Sequence, residues 1–183
     1  AGIGYGGSCF PKDVRGFTWI ASQYDVDFSI LKAVDHINEG RVDEFVSKLR
    51  KSLWVIKGKT LAVWGLSFKP GVDDVRDAPS LAVVRQLLEE GANLQLYDPM
   101  AMGEFMTHYP EGSPGISYCQ SGLEAVDNAD GLLVLTEWPE FLDVDFKSVY
   151  ERIGIPLIVD GRNLFQPGVA RAAGFEYISV GRP

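Results

Sequence analysis

Cysteine and histidine are scarce in this chain, with two of each, and neither pair is arranged for the chemistry these residues usually carry. Cys9 and Cys119 are too few and too far apart for a disulfide framework, and they fit a reducing, cytosolic compartment. There is no C-x-x-C pair, so a thiol-redox role for Cys9 lacks its partner. His36 and His108 have no sequence relation to Cys9 that would make a triad. No apolar run approaches the roughly 20 residues of a membrane span, and no signal-peptide pattern opens the chain. Positive charge is in deficit. A formal net charge of -8 argues against a nucleic-acid partner. It leaves room for a small anionic ligand, which a few local cations and amide donors can hold.

What is present suffices for one ordinary domain with an appended element: 183 residues, 46% hydrophobic and 23% charged. The chain starts at Ala1 inside a glycine-rich loop, as a piece of a longer protein would. Pro11 then sits where a helix start tolerates it, and Val14, Phe17, Ile20 and Ala21 recur at helical spacing to about residue 24. From about residue 28 to 51 a second, long helix is expected, with Gly40 its one weak spot, and it suits a linker or dimer element. Beyond Gly58, short apolar strands are expected at 60–64, 94–97, 116–118, 131–135 and 157–159. A helix at 80–90 lies between the first two, started by Asp77-Ala78-Pro79-Ser80 and stopped by Gly91. Such alternation predicts an α/β fold with a doubly wound parallel sheet, Rossmann-like, over residues 58–183, preceded by a helical segment over 1–57. Ligands of such sheets bind beyond the carboxyl ends of the strands. Those ends run into Gly65-Leu66-Ser67-Phe68-Lys69, Asp98-Pro99, Thr136-Glu137-Trp138 and Asp160-Gly161-Arg162-Asn163.

Gly2, Gly4 and Gly7 formally satisfy G-x-G-x-x-G. The dinucleotide fingerprint must follow a strand and open a helix within a βαβ unit, and no strand precedes it here. The glycines instead suit a loop whose backbone amides approach a ligand closely. Cys9 follows at a helix N-terminus beside Lys12, an environment that suits a nucleophilic sulfur. Asp13, one turn on, could act as a base toward water or the thiol. Cys119 has no such neighbourhood and reads as a structural thiol at a strand end. Asp73, Asp74 and Asp77 suit loop and cap roles better than a metal site, since no His or Cys accompanies them. Trp138, with Pro139 and Phe141, reads as packing after a strand.

The string Gly6-Gly7-Ser8-Cys9-Phe10-Pro11-Lys12-Asp13 resembles the nucleophile motif of the UDP-glucose/GDP-mannose dehydrogenase family. The run from Gly65 to Ser80 is similar to that family's entry to its C-terminal nucleotide-binding domain, and Asp160-Gly161-Arg162-Asn163 resembles its late D-G-R motif. The resemblance implies oxidation of C6 of a nucleotide-bound sugar to a carboxylate, with two NAD reduced per substrate. Cys9 would be the covalent nucleophile, Asp13 would activate or position water, and Lys12 would tune the local field. Gly4, Tyr5, Gly6, Phe10, Phe68, Lys69 and Arg162 would bind a UDP-sugar, Lys69 as a point charge and Arg162 as a fork. Arg76 would approach the NAD phosphates. The family's N-terminal NAD-binding domain is absent from the chain, which alone is then expected to be inactive. A homodimer through the long helix is implied, with no nucleic acid, membrane or metal partner. GDP-mannose is the competing substrate, and a non-catalytic nucleotide-binding module is the competing class.

Overall fold

A computed structural model describes residues 2–182. Helix α1 spans Phe10–Gln23, with Pro11 buried in its first turn and Cys9 at its N-cap. Helix α2 spans Ser29–Leu53 and passes straight through Gly40. A single glycine inside so long a helix costs only about 1 kcal/mol, too little to break it. Its buried residues, Phe45, Val46 and Leu49, all lie in the C-terminal half. Over the N-terminal half Ile30 and Ile37 are 76% and 63% exposed, so this stretch projects from the core with an apolar face uncovered.

Six strands follow: β1 (Thr60–Trp64), β2 (Asn93–Tyr97), β3 (Ile116–Tyr118), β4 (Leu132–Val134), β5 (Leu157–Asp160) and β6 (Glu176–Ser179). They form one sheet in the order β3-β2-β1-β4-β5-β6, and every neighbouring pair is parallel. Strands β4 and β5 are buried along their whole length, as expected of a sheet covered on both faces. Helix α3 (Pro79–Glu89) and the end of α2 cover one face through Leu49, Val83, Val84 and Leu87. The short helices α5 (Gly122–Ala125), α6 (Phe146–Tyr150) and α7 (Pro167–Ala172) cover the other, with Ala125, Val149 and Ala170 against Trp64, Ile158 and Tyr177. Between β2 and β3 lies α4 (Met102–Met106). The winding reverses between β1 and β4, so the carboxyl ends of those strands flank the switch point where such sheets bind ligands.

Two expectations are revised. Helix α3 has Ala78 at its N-cap with no side-chain cap, and Ser80 instead donates its hydroxyl to the Leu66 carbonyl. The sixth strand was not foreseen: four residues with two exposed or half-buried give little apolar signal, and pairing with β5 makes them a strand.

Candidate active site

Two buried aspartates organise the carboxyl edge of the sheet. Asp98, just past β2, is 2% exposed and accepts hydrogen bonds from three directions. Its Oδ2 takes the Leu66 and Ser67 amides, the Ser67 hydroxyl and the Trp138 indole N–H, at 2.6, 3.1, 3.3 and 3.0 Å. Its Oδ1 takes the amides of Met100 and Ala101. One carboxylate thus ties the β1 exit, the β2 exit and the β4 exit together. Trp138 therefore does more than pack. Asp160, ending β5, accepts from the Arg162 and Phe165 amides and from the Tyr177 hydroxyl at 2.9, 3.0 and 2.7 Å. Burial, and then the Asp160 charge, raise the Tyr177 phenol well above its usual range, so it stays a donor to that carboxylate.

The glycine-rich loop is laid across these strand exits and fastened at each step. The Ile3 amide donates to Gly161 O at 3.0 Å, and the Gly7 amide donates to Arg76 O at 3.0 Å. Arg162 donates through Nη1 to Gly4 O at 3.2 Å and through Nε to Leu135 O at 2.8 Å. Its side chain is only 13% exposed, and burial pulls the guanidinium below its ordinary value. Glu137, 3.4 Å away, is the carboxylate that offsets this burial most. From α2, Arg41 donates to Gly2 O while Asn38 pairs with both backbone groups of Tyr5. Backbone geometry demands glycine at two of these positions. Gly4 has φ +111° and Gly7 has φ +86°, and a side chain on Gly7 would run into the Phe68 ring.

The expected site residues do not form a single cluster. Gly4, Tyr5 and Arg162 share a cleft of about 500 Å³ with Gly2, Val34, Ile37, Asn38, Arg41 and Glu137. Gly6 faces the other way, against the Asp77 carbonyl, where no Cβ fits. Phe68 packs against Gly7, and Lys69 Nζ lies 5.2 Å from the Phe68 ring centroid. Cys9, Lys12 and Asp13 lie at the exposed start of α1, with Lys12 and Asp13 3.7 Å apart. Cys9 Sγ is 3.7 Å from Ser8 Oγ, and Phe10 stacks edge-on against Tyr5 at 4.7 Å. Arg76 is 70% exposed and its fork grips Asp74, with Nη2 at 2.7 Å. That hydrogen bond, then the Asp74 charge and to a smaller degree the Cys9 sulfur, hold its guanidinium above the ordinary value. Asn38 and Arg41 were not singled out from sequence, and Glu137 was named only within its strand-end segment. Mid-helix polar residues such as Asn38 and Arg41 carry no positional signal until the helix is seen beside the loop. Among the described residues no group of acidic, Cys or His side chains could hold a metal, and no helix is long and apolar enough to cross a membrane.

The two thiols differ as expected in setting. Cys9 is exposed, whereas burial, then Glu124 and Asp127, push Cys119 up to about 11. Since the thiolate is the reactive form, iodoacetamide at neutral pH should modify Cys9 alone in the folded chain and both thiols in denaturant. Equal modification of Cys119 in the folded chain would contradict its burial.

A six-stranded parallel sheet of this winding, with a cleft of about 500 Å³ beside its carboxyl edge lined by Arg41 and Arg162, defines a Rossmann-like α/β protein. Residues 62–167 match the UDP-binding domain of the UDP-glucose/GDP-mannose dehydrogenase family, and residues 1–40 match that family's central domain. The chain belongs to the UDP-glucose/GDP-mannose dehydrogenase family. It is similar to a UDP-glucose 6-dehydrogenase of Pseudomonas aeruginosa, 42% identical over 188 residues, covering 100% of this chain and 41% of that protein. The UDP-glucose 6-dehydrogenase TuaD of Bacillus subtilis is 39% identical, over 100% of this chain and 39% of that protein. A solved UDP-glucose dehydrogenase from the archaeon Pyrobaculum islandicum superposes with a TM-score of 0.83 at 33% identity, covering 97% of this chain and 38% of that one. The chain thus spans about two fifths of the length of these relatives.

Proposed function

We propose that this chain forms the nucleotide-sugar half of a UDP-glucose 6-dehydrogenase, with Cys9 as the nucleophile that carries the sugar carbon from aldehyde to acid. The observation that carries the reading is the seating of the cysteine loop on the sheet's ligand edge, stitched to Gly161 and Arg76. In this reading residues 1–57 are the cysteine loop and central helices, residues 58–183 are the UDP-sugar domain, and a further domain holds most of the NAD. UDP-glucose is preferred to GDP-mannose because relatives at 42% and 39% identity carry that name. A soluble, cytoplasmic enzyme suits the unpaired thiol Cys9.

The residues present fit such chemistry. NAD supplies the hydride acceptor, and Arg76, fixed by Asp74 yet 70% exposed, can offer its outer N–H groups to a diphosphate. Loss of hydride and a proton from the C6 alcohol leaves an aldehyde. Cys9 Sγ adds to the carbonyl carbon, the carbonyl oxygen takes up the proton, and a thiohemiacetal forms. Loss of a second hydride from that carbon, with the hydroxyl proton, leaves a thioester on Cys9. Water adds, the C–S bond breaks, and the carboxylate departs as the thiol is restored. Asp13 stands one helical turn from Cys9, within reach to orient or deprotonate that water. Lys12 pairs with Asp13 and holds the field at the helix start positive. Gly4, Tyr5 and Phe10 shape the approach of the sugar nucleotide, Gly6 lets the loop pack closely on Asp77 instead, Phe68 gives the ligand an apolar face, and Lys69 and Arg162 supply positive charge.

Assayed in the complete enzyme with NAD, UDP-glucose should be oxidised and GDP-mannose should be a poor substrate. Preference for GDP-mannose would overturn the substrate, and no oxidation of either would favour a non-catalytic binding module. Dimerisation through α2 is part of the same proposal, because Ile30, Val34 and Ile37 leave its N-terminal half apolar and uncovered. Sedimentation of the complete protein should give a dimer that Ile30→Glu with Ile37→Glu converts to monomer. A monomeric wild type would contradict this.

A further inference from the structure

The loop that carries Cys9 is held from two sides, and one of its anchors has no part in the chemistry proposed above. Asn38 lies on α2, three residues from Arg41, so both side chains project from neighbouring turns toward the loop. Its Oδ1 accepts the Tyr5 amide at 2.9 Å and its Nδ2 donates to the Tyr5 carbonyl at 3.1 Å. A carboxamide engaged this way copies the double hydrogen bond of a β-ladder, and it fixes both peptide planes that flank Tyr5. Space around it is tight. A Cβ on Gly4 would lie 2.7 Å from Asn38 Oδ1, so the φ of +111° at Gly4 and the carboxamide select each other. Arg41 secures the Gly2–Ile3 peptide further back, through Gly2 O at 3.1 Å, and Asp35, at the preceding turn, reaches Arg15 of α1 at 3.2 Å.

We propose that Asn38 is a positioning residue that sets the direction in which the loop leaves Tyr5 and thereby where Cys9 enters α1. This rests on Cys9 being the nucleophile, and it adds a requirement that reading does not contain. Only a side chain with one acceptor and one donor, spaced as in a carboxamide, satisfies both groups of Tyr5. Aspartate keeps the acceptor and loses the donor, setting a carboxylate oxygen against the Tyr5 carbonyl. Alanine loses both. Because Asn38 touches no reacting atom, its loss should act on alignment. A displacement of about 1 Å at a nucleophile can cost about 100-fold in rate. The substrate's affinity, which draws on many other contacts, should change much less.

The test uses the complete enzyme with Asn38→Ala, Asn38→Asp and Cys9→Ser in parallel, reading kcat and KM separately and amide hydrogen exchange by mass spectrometry. Expected for Asn38→Ala is a fall of about 100-fold in kcat with KM within a few-fold. Exchange of the segment 2–9 should quicken by about ten-fold, the worth of one hydrogen bond, while that of 45–49 stays unchanged. Asn38→Asp, close in size, should show the same pattern and covers the case in which the alanine variant does not fold. Unchanged kcat or unchanged exchange at 2–9 in the folded variants would overturn the proposal, as would a uniform rise in exchange along the chain. Should Cys9→Ser retain turnover, the nucleophile reading fails, and the exchange of segment 2–9 alone then decides whether Asn38 holds the loop.

Discussion

Replacing Cys9 by serine in the complete enzyme should lower kcat by at least about 1,000-fold, a loss of about 4 kcal/mol of transition-state stabilisation. A hydroxyl is a far weaker nucleophile than a thiolate, because it ionises far less readily than a thiol. Neither histidine is placed to help, since His36 lines a groove between α1 and α2 and His108 sits near Glu104, Asp73 and Asp74. UDP-sugar affinity should stay within a few-fold, because the cleft is built by Gly4, Tyr5, Arg41 and Arg162 rather than by the sulfur. Isothermal titration and steady-state rates on the same preparation separate the two quantities. Wild-type turnover in Cys9→Ser would remove Cys9 from the chemistry, whereas loss of binding would make it a structural thiol instead.

The second large effect should come from a residue that touches no substrate. Asp98→Asn keeps the size of the side chain and replaces an oxygen that only accepts by an NH₂ that only donates. Both Asp98 oxygens face N–H donors, so neither orientation of the amide escapes a donor–donor clash. The segment is buried, so water cannot substitute. A destabilisation of about 3 kcal/mol is expected, from at least two amides left unpaired at about 1–3 kcal/mol each. At about 2–4 °C per kcal/mol for a chain of this size, the midpoint should fall by about 10 °C. Asp145→Asn is the control. That carboxylate also accepts from backbone amides, at the start of α6, but it is exposed, and its loss should cost about 1 kcal/mol or less. Thermal or urea unfolding of both variants decides it. A change at Asp98 no larger than that at Asp145 would mean that the three strand exits do not depend on one shared acceptor.

The sheet was legible because its central strands are uninterrupted apolar runs, as strands buried on both faces must be. Thr60–Trp64 and Leu157–Asp160 declare themselves this way. Strand β6 did not, since Glu176 and Ile178 are not fully buried and its placement depends on β5. The segments following the strands were recognised as ligand-edge loops, yet the role of Asp98 within them was not. Six donors from three segments converge on it, and only tertiary structure brings them together. The cysteine loop was legible for a different reason: glycines before Cys9 and Pro11 after it carry local backbone meaning. Its fastening by Asn38 and Arg41 was hidden, because those two side chains are separated from it by more than thirty residues. Arg162 was expected to offer its fork to the ligand. Instead two of its nitrogens already hold Gly4 and Leu135, so the residue braces the cleft as well as charging it.

Cys9 stands exposed at the start of a 14-residue helix, while Gly2, Ile3, Gly4, Tyr5 and Gly7 before it are tied to α2 or to the loops beyond the strand ends. Such an arrangement suits a sulfur that must reach a substrate held at the sheet edge. Its direct test is acid quenching of the complete enzyme during turnover of UDP-glucose with NAD, using Asp13→Asn to slow hydrolysis, followed by peptide mass analysis. The expected result is a sugar-nucleotide adduct on the Cys9 peptide that hydroxylamine removes, as it does a thioester. An unmodified Cys9 peptide under sustained NAD reduction, or an adduct on another residue, would contradict the assignment.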